Sequence, residues 1–185
     1  MTCIIGLEEG GKVYIGGDSL GINGESGVTL KTRKVFGRMY DHMIIGVAGS
    51  VRMLNLLHHG LEIPTRNGET VQSDLQYMVN SFIPALRQTL KDGGFTYIDN
   101  NREWMGNFLV GYNGNLYSVE SDFQVNQPSN GMYCIGSGAH FAWGAMVALQ
   151  ELLLTPEQRI IKALEITGQL CVSVGGPYYV EVTQL

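Results

Sequence analysis

The chain has little with which to cross a membrane, grip a nucleic acid or staple itself together. No apolar run approaches the roughly 18 residues that a spanning helix needs, so no membrane partner is expected. Lys and Arg total 12 against 17 Asp and Glu, a net charge of −5. The longest basic stretch, Lys31-Thr32-Arg33-Lys34, is too brief for the electrostatic footprint of nucleic-acid binding. The three cysteines, Cys3, Cys134 and Cys171, are odd in number and sit among apolar neighbours, so they read as buried free thiols and not as a disulfide frame. No basic segment followed by an apolar core and a small-residue cleavage site opens the chain, and a cytoplasmic location is expected.

What is present is an ordinary globular composition, 44% hydrophobic and 16% charged. Its 185 residues suit one domain, 1–185, able to bury about 70% of its unfolded surface without staples.

Turn and cap chemistry divides the chain. Thr2 to Leu7 and Lys12 to Ile15 flank Glu8-Glu9-Gly10-Gly11 and predict a hairpin; a glycine-rich loop, Gly16 to Gly27, follows, then strands at Lys34 to Phe36 and Met43 to Ala48. Ser50 caps a helix ending near Gly60, and a longer helix is expected from about Thr70 to Leu90, kinked at Pro84 and stopped by Asp92-Gly93-Gly94. Asn113-Gly114 joins two strands, Phe108 to Tyr112 and Asn115 to Val119. Ser137 opens a helix to about Leu153, and Thr155-Pro156-Glu157-Gln158 starts another reaching about Thr167. Strands Leu170 to Val174 and Tyr178 to Val182 end the order. Strand groups separated by helix pairs predict a layered α/β arrangement, two stacked antiparallel sheets with helices outside both.

Several motifs fail on their chemistry. Gly6 to Lys12 resembles the start of a phosphate-binding loop, but Val13 stands where magnesium needs a hydroxyl, and two glutamates would repel phosphate. Gly136-Ser137-Gly138 lacks the spacing of a serine nucleophile elbow. His58 and His59 are adjacent, so they cannot share a metal as an i, i+4 pair would, and both read as surface residues.

Thr2 carries more. Behind Met1, it would offer a hydroxyl and, once Met1 is removed, an α-amine whose reference pKa near ~8 suits it as the hydroxyl's base. Gly16-Gly17-Asp18-Ser19 places an aspartate just past a strand, readable as a turn residue or as an anion held beside the N-terminus. Lys34 stands in the apolar setting Lys34-Val35-Phe36, where a buried ammonium needs an anion such as Asp18.

With these residues in place the chain resembles proteasome β-type subunits, and among them the HslV (ClpQ) group of N-terminal-nucleophile hydrolases. Gly16-Gly17-Asp18, Arg33-Lys34-Val35, Gly46-Val47-Ala48-Gly49, Ile135-Gly136-Ser137-Gly138 and Ala163-Leu164-Glu165-Ile166-Thr167-Gly168 fall in family order behind Thr2. The resemblance covers nearly the whole chain, least between about Leu61 and Asn107, and it implies a four-layer αββα sandwich.

Carried over residue by residue, the resemblance makes Thr2 the nucleophile and its own amine the base. Lys34 lowers the pKa of that site, Asp18 orients Lys34, the Gly49 N–H forms the oxyanion hole and Ser137 stands near the Thr2 amine, with a helix N-cap as its plain structural role. Gly21, Thr32, Phe36, Val47, Val51 and Asn55 would line the specificity pocket and favour cleavage after apolar residues. The carbonyls of Gly168, Cys171 and Val174 keep the spacing that binds a monovalent cation such as Na+ in HslV, a structural ion, since the chemistry needs no cofactor; an ordinary helix-to-strand connection explains them equally.

Two departures stand out. Cys171 replaces an Asp found in many proteasome β-subunits but also absent from HslV-like chains. The segment between Gly49 and Ser137 is longer than in HslV and shares little sequence with it, leaving ring size and the unfoldase open.

The function implied is a threonine-type endopeptidase in stacked homo-oligomeric rings, fed with unfolded protein by an AAA+ ATPase. Readings from other classes are a catalytically silent ring subunit and an amidase of the same broad group acting on small molecules.

Overall fold

The computed structural model describes residues 2–38, 42–66, 72–100 and 102–183. Strands β1 (Ile4–Glu9) and β2 (Lys12–Gly17) form the expected opening hairpin, turning at Gly10 and Gly11 with φ of +62° and +75°. Such angles suit glycine because it carries no Cβ. The stretch expected to be a glycine-rich loop is instead a second hairpin, β3 (Leu20–Asn23) with β4 (Ser26–Thr29). Its turn lies at Gly24, so the glycines mark a turn and a strand, not an unstructured run.

Strands β5 (Val35–Arg38) and β6 (Met43–Ala48) agree with expectation, as does α1 (Val51–Gly60), where Ser50 Oγ accepts the Arg52 N–H at 3.1 Å. The long helix starts from Ser73, whose side chain and that of Gln76 form a capping box; the expected start at Thr70 lies outside the described residues. It runs as α2 (Asp74–Tyr77), a π-helical turn (Met78–Phe82) and α3 (Ile83–Asp92). In that turn the Ile83 N–H donates to the Met78 carbonyl, five residues back. Pro84 has no N–H and its ring crowds the preceding turn, so a widened turn ahead of it takes the place of the expected kink.

Strands β7 (Tyr97–Asp99) and β8 (Arg102–Trp104) form a small separate hairpin, and β9 (Asn107–Tyr112) and β10 (Asn115–Val119) turn at Asn113-Gly114, both at positive φ, as the Asn-Gly signal requires. Short strands β11 (Val125–Asn126) and β12 (Met132–Ile135) follow. Helix α4 (Ala139–Leu149) is shorter than expected, and its N-cap is Gly138, so Ser137 is not the cap. Helix α5 (Pro156–Leu170) has the expected Thr155–Gln158 capping box but runs three residues past Thr167. The strand expected at Leu170 to Val174 is therefore a helix end and a loop; β13 (Tyr179–Val182) is the last strand.

One antiparallel sheet has the order β12-β1-β2-β13 and the other β11-β10-β9-β6-β5. Alternation along each strand builds the layers. Cys3, just ahead of β1, and Ile5 and Leu7 on it pack with Ala142, Met146, Ile160 and Leu164 of α4 and α5, whereas Ile4 joins Val13, Ile15, Val35, Ile44 and Leu109 between the sheets. On β6, Met43, Ile45 and Val47 face Met53, Leu57, Phe82 and Leu86 of α1, the π-helical turn and α3. Three buried clusters between four layers, two of helices and two of sheet, give the αββα sandwich. Strands buried on both faces must be apolar at successive positions, which is why β6 reads as an unbroken hydrophobic run.

The sheets come close at Gly46, where a Cβ would stand 2.6 Å from Ile4 Cγ2 and 2.7 Å from Ile15 Cγ2. Among the described residues no helix is long and apolar enough to cross a membrane.

Candidate active site

The register of the first sheet assembles the site. Ile4 pairs with Gly17 on one side and Ile135 on the other, both antiparallel. Continued past the strand ends, that register sets Cys3 opposite Asp18 and Thr2 opposite Ser137. The contacts follow: the Asp18 N–H donates to the Cys3 carbonyl at 3.3 Å, and the Thr2 nitrogen donates to Ser137 Oγ at 3.2 Å. The Gly138 N–H donates to the Thr2 carbonyl at 3.2 Å, and Gly136, with φ of +94°, passes so close to that carbonyl that a Cβ would collide with it. Thr2 is thus clasped from both neighbours and is 1% exposed.

The second sheet supplies the charge. Lys34 precedes β5 and is fixed through its carbonyl, which accepts the Val47 N–H at 2.9 Å. Its Nζ reaches across the sandwich to Asp18 Oδ1 at 2.9 Å and Oδ2 at 3.0 Å, and to the Leu20 carbonyl at 2.7 Å. Burial lowers the Lys34 pKa from its ordinary value, against the opposing pull of Asp18. Asp18 also accepts the Cys3 and Leu20 N–H groups, each at 3.0 Å. The carboxylate therefore connects the lysine to the peptide unit following Thr2. It is a held anion and not merely a turn residue.

Gly49 follows β6 at the same end of the sheets, exposed to solvent, with φ of +139°. A side chain there would be strained although space exists around it, so the glycine is needed for its conformation, which sets where its N–H points.

Ser137 Oγ lies 2.7 Å from Ser173 Oγ, which in turn lies 3.2 Å from Cys171 Sγ. Sequence reasoning missed Ser173. Its signal, a hydroxyl in the apolar stretch Cys171-Val172-Ser173-Val174, was hidden by reading that stretch as a strand. The loop that carries it is tied to the site: the Gly175 carbonyl accepts the Ser19 N–H at 3.0 Å and Ser19 Oγ donates to the Pro177 carbonyl at 2.6 Å. The thiols also divide. Cys3 and Cys134 are buried as expected, with pKa values pushed up by burial, that of Cys134 to about 12, whereas Cys171 is only half-buried.

The six residues named for the specificity pocket are not gathered round one cavity. Phe36 and Val47 are buried in the layer beneath α1; Val51 and Asn55 are exposed one turn apart on α1; Gly21 and Thr32 are partly exposed. Thr32 and Phe36 do line a cleft of about 620 Å³ together with His58, His59 and Glu181. His58 is not a plain surface residue, since its ring packs edge-on against Phe36 at 4.7 Å. Of the three carbonyl residues, Gly168 lies within the last turns of α5, the Cys171 carbonyl accepts the Val174 N–H at 3.0 Å, and the Val174 carbonyl would stand 3.3 Å from a Cβ on Gly168. A carbonyl oxygen has two lone pairs, so the Cys171 bond leaves one for a cation.

No protein-family model matches the chain. Solved structures do. Thiobacillus denitrificans BPH superposes with a TM-score of 0.80 at 19% identity, covering 99% of this chain and 98% of that one; the same protein in complex with epoxomicin gives 0.79. HslV from Trypanosoma brucei gives 0.65 at 21% identity over 97% and 98% of the two chains. Anbu, the ancestral beta-subunit, from Yersinia bercovieri gives 0.65 at 14% identity over 98% and 81%. The fold is the proteasome-type, N-terminal-nucleophile hydrolase fold.

Proposed function

We propose that the chain is a threonine-type endopeptidase subunit, cytoplasmic and assembled in stacked homo-oligomeric rings that receive unfolded protein from an AAA+ ATPase. One observation carries this reading: Thr2 is held between Ser137, 3.2 Å from its nitrogen, and Asp18, whose carboxylate binds both the Cys3 N–H and the buried Lys34 ammonium. Burying an ion pair carries a desolvation cost that its own attraction often fails to repay, so a stability role alone is a weak reason for its presence.

While Met1 is attached, the Thr2 nitrogen is a peptide N–H. After its removal the same nitrogen is an amine beside Ser137 Oγ. The amine takes the proton of Thr2 Oγ as that oxygen bonds to the substrate carbonyl carbon; the Lys34 charge lowers the amine's pKa, so that it is unprotonated at neutral pH. The resulting oxyanion takes the Gly49 N–H, a fixed donor worth about 3 kcal/mol. Collapse breaks the C–N bond, and the proton held by the amine passes to the leaving nitrogen. Water, deprotonated by the same amine, then hydrolyses the ester on Thr2 and restores its hydroxyl. Thr32 and Phe36, which share the cleft of about 620 Å³, would select an apolar residue before the scissile bond once a neighbouring subunit completes the pocket. A monovalent cation on the carbonyls of Gly168, Cys171 and Val174 would hold the Ser173 loop.

The test combines intact mass, particle size and hydrolysis of a fluorogenic peptide amide. The natural protein should lack Met1 and cleave the peptide, and Thr2→Ala should form particles of the same size with no hydrolysis. Undiminished cleavage by Thr2→Ala would sink the reading.

A further inference from the structure

The cleft of about 620 Å³ lies where both sheets end: β5 stands last in one sheet and β13 last in the other, and residues of both line it. Its lining includes Arg33 and Val35, on either side of Lys34, so the cleft adjoins the ion pair beside Thr2. The edge of a sheet takes a peptide in extended form. Buried Val35, Phe36, Met43 and Ile44 give the cleft an apolar floor. Its charged lining is one-sided. Among the described residues it carries five basic side chains, Lys31, Arg33, His42, His58 and His59, against one acid, Glu181. The whole chain has the opposite balance, with a net charge of −5. Glu181 is engaged by Arg33 at 3.2 Å, and the same guanidinium lies 4.2 Å over the Tyr179 ring, so it is fixed in place. His58 Nδ1 lies 3.4 Å from His59 Nε2 and its ring packs edge-on against Phe36, which sets the imidazole pair directly beside the apolar floor. Each imidazole carries at least one N–H donor whatever its tautomer. A cleft lined by one sign of charge concentrates groups of the opposite sign. Its volume, moreover, suits a drug-sized ligand and exceeds what one aliphatic side chain fills.

We propose that this cleft selects substrates with an acidic residue two places ahead of the apolar residue that precedes the scissile bond: Phe36 takes the apolar side chain and the basic lining, Lys31 and His59 included, attracts the carboxylate. This rests on the reading of Thr2 as the nucleophile. Successive side chains of an extended peptide point to opposite faces, so these two share a face about 7 Å apart and the residue between them points away. Both belong to the acyl half of the substrate. That half stays on Thr2 after the leaving half departs, so the cleft holds it through both chemical steps.

The experiment compares three fluorogenic peptide amides on the assembled protein, each with Leu before the cleaved bond. The two residues ahead of Leu are Glu-Gln in the first, Gln-Glu in the second and Gln-Gln in the third. The first should exceed the other two about tenfold in kcat/KM, chiefly through KM, and the excess should shrink between about 50 and about 500 mM salt. Lys31→Glu combined with His59→Glu should prefer a Lys-Gln-Leu peptide to Glu-Gln-Leu, a gain that a misfolded protein cannot give. Dye-labelled carboxamides of the same peptides, followed by anisotropy on Thr2→Ala, should show the tenfold difference in Kd. Equal kcat/KM for the three peptides, an advantage for Glu in either place, or a Glu preference kept by the charge-reversed protein would each overturn the role of the cleft and leave Thr2 as nucleophile. Full cleavage by Thr2→Ala would overturn the reading of Thr2; the cleft would then stand as an acid-selective site on a tenfold difference in Kd and fall on equal values.

Discussion

Lys34 and Asp18 form an ion pair that ties the two sheets together at one end of the sandwich. Nζ stands 2.9 Å from Oδ1 with the side chains 5% and 0% exposed. Lys34 belongs to the approach to β5 in one sheet, and Asp18 follows β2 in the other. The pair is therefore a structural bridge that also sets the Lys34 charge one carboxylate away from the Cys3 N–H.

Breaking it from one side should be costly. Lys34→Met leaves a carboxylate with no counter-charge in the interior, and a loss of about 3–5 kcal/mol is expected, measured by urea unfolding. Lys34→Met combined with Asp18→Asn should recover part of that loss, since the amide keeps an oxygen for the Cys3 and Leu20 N–H groups. Both forms should lack peptide hydrolysis. A stable Lys34→Met single variant would show that solvent reaches Asp18.

Gly49→Ala separates conformation from space. The φ of +139° is a region that L side chains rarely adopt, although the nearest atom to an added Cβ, Met53 Cε, would be 3.4 Å away. If Ala holds the conformation, the protein should lose about 1–3 kcal/mol from strain. If the backbone relaxes instead, stability should be nearly kept while the N–H leaves the oxyanion position and kcat falls about 10²-fold. Unfolding and kcat measured on one preparation distinguish the two, and a variant equal to wild type in both would remove Gly49 from the site.

Legibility in the sequence followed the range of the interactions. The Asn113-Gly114 turn and the Thr155–Gln158 capping box are settled by neighbours within a few residues, and both elements stand where their signals lie. Asp18 and Lys34 were legible because a charge in an apolar run demands a partner, and the structure pairs them. Ser173 was not. Cys171-Val172-Ser173-Val174 alternates like a strand, yet Val172 is exposed and Val174 buried because the loop is pinned by Ser19 and Asp18 from a distant part of the chain. Tertiary contacts override propensity there, and no local signal reports them. The β3–β4 hairpin was obscured by its glycines, which are as common in turns and close approaches as in loops.

Packing between β2 and α5 should couple Gly16 to Ile160. A Cβ on Gly16 would overlap Ile160 Cγ2 and lie 3.2 Å from Val180 Cγ2. Gly16→Ala should destabilise by about 1–3 kcal/mol through overpacking. Ile160→Ala removes the opposing methyl and should by itself cost about 2–5 kcal/mol. Together they should cost less than the sum, by more than the roughly 0.5 kcal/mol within which independent sites add. Additive losses in urea unfolding would mean that α5 shifts away from the sheet instead of repacking.

The last expectation concerns high pH. Burial holds the Lys34 pKa below its ordinary value of 10.5 in the folded protein. The unfolded chain therefore binds more protons than the folded one between the lowered value and 10.5, and in that window the contribution of Lys34 to stability rises with pH, the unfavourable burial of its charge being relieved as the proton leaves. Activity should move the opposite way. The neutral lysine no longer pairs with Asp18, which also holds the Cys3 N–H beside Thr2, so kcat/KM should show an alkaline limb whose midpoint lies below 10.5. A pH–rate profile set beside urea unfolding over the same range checks both signs at once. Activity that stays flat beyond 10.5 would mean that the charge on Lys34 has no part in the reaction, and that the pair with Asp18 serves only to join the sheets.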